Sequence, residues 1–174
     1  MPQVLFVAGV HGDEVIGIYT LIYLIEYMKL KSKFERFRTL INNRMIIVVP
    51  FANPNGFSNK TSYELVQFGN APSDNMKIDP AYDFGFNKEN CMESTTARFL
   101  DQIYRNHLII STLVFNNHGT SAVGVPWLYS ETANLNDEIA YNQVGQYLTE
   151  IANANKQIEN IKGMDKYHYT NLAQ

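Results

Sequence analysis

Val10-His11-Gly12-Asp13-Glu14 is the stretch on which the reading turns. It lies between an apolar run, Val4 to Ala8, and a longer one, Val15 to Ile25. The first run is continuous and rich in Val and Phe, as in a strand buried on both faces, and spans Gln3 to Ala8. Gly9 ends it. Gly12 and Asp13 have the chemistry of a turn and N-cap, so a helix is expected from about Glu14 to Leu30. A histidine and two carboxylates at the junction of two buried segments then occupy a strand's carboxyl end, where open α/β sheets bind their ligands.

Moving outward, Met45 to Phe51 (MIIVVPF) and Leu108 to Phe115 (LIISTLVF) repeat the buried-strand pattern. Ser94 to Asn106 has helical spacing of Ala97, Leu100, Ile103 and Tyr104. Leu135 to Asn153 does the same with Leu135, Ile139, Val144, Leu148 and Ile151. FANPNGFSNKTS is a turn-rich loop, irregular chain is expected on to about Asn90, and NNHGTSAVGVPW is a second loop. Doubly apolar strands alternating with helices predict a single three-layer α/β/α domain on a largely parallel mixed sheet.

The 174 residues suit one domain, and 45% hydrophobic with 18% charged residues is an ordinary globular balance. A net charge of −3 gives no reason to expect nucleic acid as a partner. The basic run KLKSKFERFR, Lys29 to Arg38, reads as a solvated helix end and linker. Thr20, Tyr23 and Glu26 interrupt the longest apolar stretch, so no membrane span is expected, and no membrane as a partner. No basic leader with a small-residue cleavage site is visible, which favours a cytoplasmic setting. Cys91 is the single cysteine, so any metal must be held by His and carboxylate; Cys91 itself reads as a buried apolar residue rather than a nucleophile.

His11 and Glu14, three apart across a strand-to-helix turn, can converge on one cation. The same residues also fit a helix cap beside a solvated histidine. His118 follows the Leu108–Phe115 strand as His11 follows Gln3–Ala8, and a His₂Glu set is the ligand set of several hydrolytic zinc sites.

Taken in order, AGVHGDEVIG (8–17), VPFANPNGF (49–57), DPAYDF (79–84), CMESTTARFL (91–100) and FNNHGTSAVGVPW (115–127) resemble the zinc carboxypeptidases of the carboxypeptidase A type. The resemblance implies that His11, Glu14 and His118 hold one catalytic zinc, and that a peptide's C-terminal bond is hydrolysed. It also implies departures. Where the family carries an Asn-Arg pair that grips the substrate carboxylate, this chain has Ala81 and Tyr82. Where the family has an oxyanion-stabilising Arg after its NPxG loop, Lys60 is the only cation. The family's distal Glu base has no counterpart before Gln174, so the domain is expected to be shortened at both ends. Two other readings accompany this one: a deacylase of the aspartoacylase or succinylglutamate-desuccinylase kind, acting on small N-acyl amino acids, and a non-catalytic zinc-binding or interaction module. Four further sets of residues have plainer readings. Trp127 suits a core or pocket lining, His107 a helix C-terminus and Arg98 a surface ion pair, while Tyr167 and Tyr169 match the family's mobile tyrosine only loosely.

Overall fold

In the computed structural model of the chain, residues 1–67, 75–84 and 92–116 are described, together with the helical positions Gln143 and Tyr147. The chain divides into two compact units, and Met1–Phe84 with Lys88–Asn117 forms the first, which carries all the elements below.

The central strand is β1 (Gln3–Ala8), flanked in parallel by β2 (Met45–Val49) and β5 (Ile109–Phe115), in the order β2-β1-β5. Side chains of β1 alternate between two cores, as a doubly buried strand requires. Leu5 and Val7 join Val49, Ala52 and Leu100 on one face; Ala8 joins Ile18 and Leu21 on the other, with Phe6 packed beside them. Leu100 belongs to α4 (Thr95–Asn106), and Ile18 and Leu21 to α1 (Val15–Lys31). The two helices therefore cover opposite faces, giving the expected α/β/α layering.

The register of β5 shifts once, since Gln3 faces Ile109 but Val4 faces Ser111. The additional residue, Ile110, lets Ile109 pack with the α4 core and Phe115 with the α1 core, although six positions separate them. At the far end of β5, Gly17 seats α1 directly on the strand. A Cβ on Gly17 would lie 2.4 Å from the Phe115 carbonyl oxygen.

Three expectations need correction. Strand β2 ends at Val49 rather than Phe51, because Pro50 has no N–H to continue a ladder. The basic run is not a linker: it enters α2 (Glu35–Asn42), whose Phe37 packs edge-on against Tyr27 at 5.7 Å. Ile41, one turn on, lines a cleft with Ile25, Met28, Ile46 and Val48. That apolar pair at i, i+4 was hidden among charges. The segment expected to run as loop and irregular chain from Phe51 to about Asn90 holds regular elements among its described residues. It contains α3 (Pro54–Asn59) and an antiparallel hairpin of β3 (Glu64–Gln67) and β4 (Asn75–Ile78), followed by a 3₁₀ turn, Pro80–Tyr82.

The hairpin is tied to the main body through Glu64, which is buried. Its Oε2 accepts from Thr95 N–H (2.7 Å), and its Oε1 from Thr96 N–H (3.1 Å) and the Thr96 hydroxyl. The carboxylate thus satisfies the orphan donors of α4's first turn and meets the positive end of its dipole. Glu64→Ala is expected to cost about 2–3 kcal/mol, since charged hydrogen bonds are lost and buried donors are stranded. A urea melt of both proteins measures it, and an unchanged midpoint would show that the tie is not needed.

Candidate functional site

The site grows from the turn after β1. Ala8 and Gly9 carbonyls accept from Ala52 and Asn53 N–H at 3.0 and 2.8 Å. Asn53 is fully buried. Its Nδ2 donates to the Val10 carbonyl (3.2 Å), and its Oδ1 accepts from Gly56 N–H (2.7 Å), capping α3. Gly12 N–H donates to the Thr61 carbonyl at 3.0 Å. The two loops approach so closely that a Cβ on Gly12 would fall 1.9 Å from the Gly56 carbonyl carbon. The NPNG segment is therefore the backing that fixes the HGDE turn, and glycine at position 12 is a steric requirement.

On that support His11 and Glu14 are both 5% exposed. His11 Nδ1 donates to Glu14 Oε1 at 3.0 Å, and Nε2 donates to Asp79 Oδ1 at 2.9 Å. Glu14, rather than the expected Asp13, occupies the N-cap position of α1, and its side chain makes no capping bond. Its carboxylate faces the imidazole instead. Asp79 reaches the ring because β4 returns antiparallel to β3, with Ile78 opposite Glu64. The Asp79 Oδ1 atom also accepts from Ala81 N–H at 2.9 Å, so the 3₁₀ turn aims it. Its bonds, then those of Glu14, outweigh burial and raise the His11 pKa to about 10. Without a bound cation the ring is an imidazolium between two carboxylates.

This arrangement fits a zinc ion on the Nδ1 side. Two donors of a tetrahedral zinc with bonds of roughly 2.0–2.2 Å stand about 3.3–3.6 Å apart, a little more than the 3.0 Å between His11 Nδ1 and Glu14 Oε1. Binding would remove the Nδ1 proton and leave the Nε2–H bond to Asp79, the carboxylate–histidine–metal geometry that fixes tautomer and ring plane. Asp79 acts from the opposite nitrogen and is not a third ligand. Among the described residues no set of three or more His, Cys, Asp or Glu groups gathers as a metal site. His118, the expected third ligand, lies outside the described residues, as do Cys91, Trp127, Tyr167 and Tyr169.

Of the remaining candidates, Ala81 packs against the α4 core and Tyr82 is exposed in the 3₁₀ turn. Lys60 is exposed and ends α3 in the left-handed conformation (φ 54°), its N–H donating to the Gly56 and Phe57 carbonyls. Its backbone thus serves as a helix terminator. His107 caps α4 and bonds Gln3 at 3.2 Å. Arg98 makes no ion pair with a described residue; its guanidinium donates to the Met92 carbonyl at 3.4 Å. The sequence reading gave no role to Asp79, although an Asp directly before Pro, closing a strand, marks a carboxylate held at a turn.

The family described as zinc carboxypeptidase matches residues 1–173. Carboxypeptidase D of Drosophila melanogaster is 37% identical over 75 residues, which are 41% of this chain and 5% of that protein. The chain therefore matches a small part of that relative's length.

A raised pKa means that the folded chain holds the His11 proton more tightly than the unfolded one. That stabilisation is complete below the ordinary value of 6.5 and is lost as pH rises toward about 10. In chelator, the stability difference between the chain and its His11→Gln variant is expected to shrink from pH 6.5 to pH 10. Thermal melts across that range check it, and a constant difference would contradict the carboxylate clamp on the ring.

Proposed function

This chain belongs to the zinc carboxypeptidase family, and on that premise we propose that it holds one zinc ion through His11, Glu14 and His118 and serves hydrolysis of a C-terminal peptide bond. The observation that carries the reading is the buried imidazole of His11, set between Glu14 on Nδ1 and Asp79 on Nε2. A structural histidine could satisfy both nitrogens with backbone carbonyls. Two carboxylates suit a ring that must present one nitrogen to a cation while the other is locked.

The sheet register supports His118 as third ligand. Ala8 pairs with Phe115, and each of the two histidines follows its strand end by three residues. The parallel pairing ends both strands, at Ala8 and Phe115, on the same edge of the sheet. In this family zinc polarises the scissile carbonyl and acidifies a water. The chain's own contribution is to orient: Asp79 fixes the His11 ring, Asn53 and Gly56 fix the turn beneath it, and the α1 cap position fixes Glu14.

Recognition of the substrate differs from the family pattern. Neither Ala81 nor Tyr82 can form a forked contact with a carboxylate. Positions 81 and 82 therefore offer a free C-terminus no forked contact, and the whole protein's substrate is a peptide by this proposal.

Metal analysis of the purified folded chain is expected to give about one zinc per chain. His118→Ala and His11→Ala should each lower affinity sharply, because two-ligand sites are much weaker than three-ligand ones. Full occupancy in both variants would overturn the ligand assignment. Separately, Ala81→Asn combined with Tyr82→Arg should tighten binding of a blocked dipeptide by about tenfold or more, the value of a charged hydrogen bond of ~1.5–3 kcal/mol. Calorimetry measures it, and no gain would show that position 82 does not face the substrate carboxylate.

A further inference from the structure

The α1–α2 corner lies outside everything the metal site uses, and its chemistry is unlike the rest of the chain. From Lys29 to Arg38 there are five cations, Lys29, Lys31, Lys33, Arg36 and Arg38, against the single carboxylate of Glu35. That is a local charge of +4 in a chain of −3, so the other 164 residues carry −7. A segment that opposes the net charge so strongly marks a surface for an anionic partner.

The same corner exposes large apolar side chains. Leu30 is 66% exposed, Phe34 60% and Tyr23 72%. Leu30 follows Tyr27 by three residues in α1, which puts the two on one side of the helix, and the aromatic residues are linked by contacts. Tyr23 stacks on Tyr27 at 6.3 Å, Tyr27 meets Phe37 edge-on, and the Lys31 ammonium lies 5.1 Å from the Phe34 ring centre and 5.5 Å from that of Tyr27. One contiguous patch therefore combines an aromatic and aliphatic ridge with flanking cations. The cation–π contacts order it without requiring a partner.

We propose that this corner docks on an anionic phospholipid bilayer, Leu30 and Phe34 entering the headgroup boundary while the flanking Lys and Arg side chains meet lipid phosphates. No described helix is long and apolar enough to cross a membrane; the association proposed is a peripheral one. Basic residues flanking exposed Leu and Phe are the composition of an interfacial segment. An acidic protein would use the cations and leave Leu30 and Phe34 in water. Single-stranded nucleic acid would need open ring faces for its bases, and Lys31 lies over the rings of Tyr27 and Phe34.

Vesicle flotation with the full chain tests this, because aggregated protein stays at the bottom of the gradient. The chain is expected to float with phosphatidylserine–phosphatidylcholine vesicles, to stay down with pure phosphatidylcholine, and to be released by high salt. Lys33→Glu with Arg38→Glu reverses two exposed charges and should weaken binding by about tenfold or more. Phe34→Ser should weaken it at unchanged charge. Absence of flotation with the anionic vesicles would overturn the proposal, as would equal flotation of the variants. So would binding of an acidic peptide or single-stranded oligonucleotide that Phe34→Ser leaves intact while the vesicles fail to bind. A cooperative thermal melt of each variant, with the midpoint of the parent, confirms that the fold survived.

Discussion

The imidazole of His11 is held by both nitrogens, and the surrounding structure is arranged around that restraint. Glu14 reaches Nδ1 from the cap of α1, and Asp79 reaches Nε2 from the end of β4. The first contact is local in sequence; the second spans 68 positions. The hairpin that delivers Asp79 is itself tied down by Glu64 at the start of α4, and the turn that carries His11 is backed by Asn53 and Gly56. Three separate elements thus converge on one ring. A ring free to rotate would present its lone pair in many directions, and a carboxylate on one ring nitrogen raises the basicity of the other as well as orienting it.

The parts of the fold that depend on doubly apolar strands were legible in the sequence. Gln3–Ala8 is the central strand with the bounds its composition suggested, and the two other strands pair with it in parallel. Continuous apolar runs carry that information because burial on both faces leaves no alternation to misread. The hairpin was not legible: ELVQ and NMKI are four residues each, and half their side chains are polar. What holds them is long-range, the Glu64 bonds to α4, and no local pattern announces such a tie. Helix α2 was hidden for a related reason, its two inward residues, Phe37 and Ile41, lying among Arg and Glu.

Of the site, the His11–Glu14 pair was legible from its spacing and position at a strand end. Asp79 was not, because a carboxylate 68 residues away acquires its role only when the hairpin folds back. The expected cap at Asp13 failed for an instructive reason: Glu14 takes the cap position but uses its carboxylate on His11, so local capping chemistry yields to the site. The sequence differences at Ala81, Tyr82 and Lys60 now have structural settings. Ala81 is packed against the α4 core, Tyr82 is exposed, and Lys60 ends a helix with its backbone. His11 and Glu14 are thus set by their contact with each other and with Asp79, whereas Ala81, Tyr82 and Lys60 are set by packing, exposure and helix termination.

The most direct measurement is anomalous diffraction at the zinc edge from crystals of the chain grown with zinc. A single strong peak is expected roughly 2.0–2.2 Å from His11 Nδ1, a Glu14 oxygen and a His118 ring nitrogen, with His11 Nε2 still bonded to Asp79. A peak on Nε2 in place of Asp79, or one that excludes His118, would contradict the central claim.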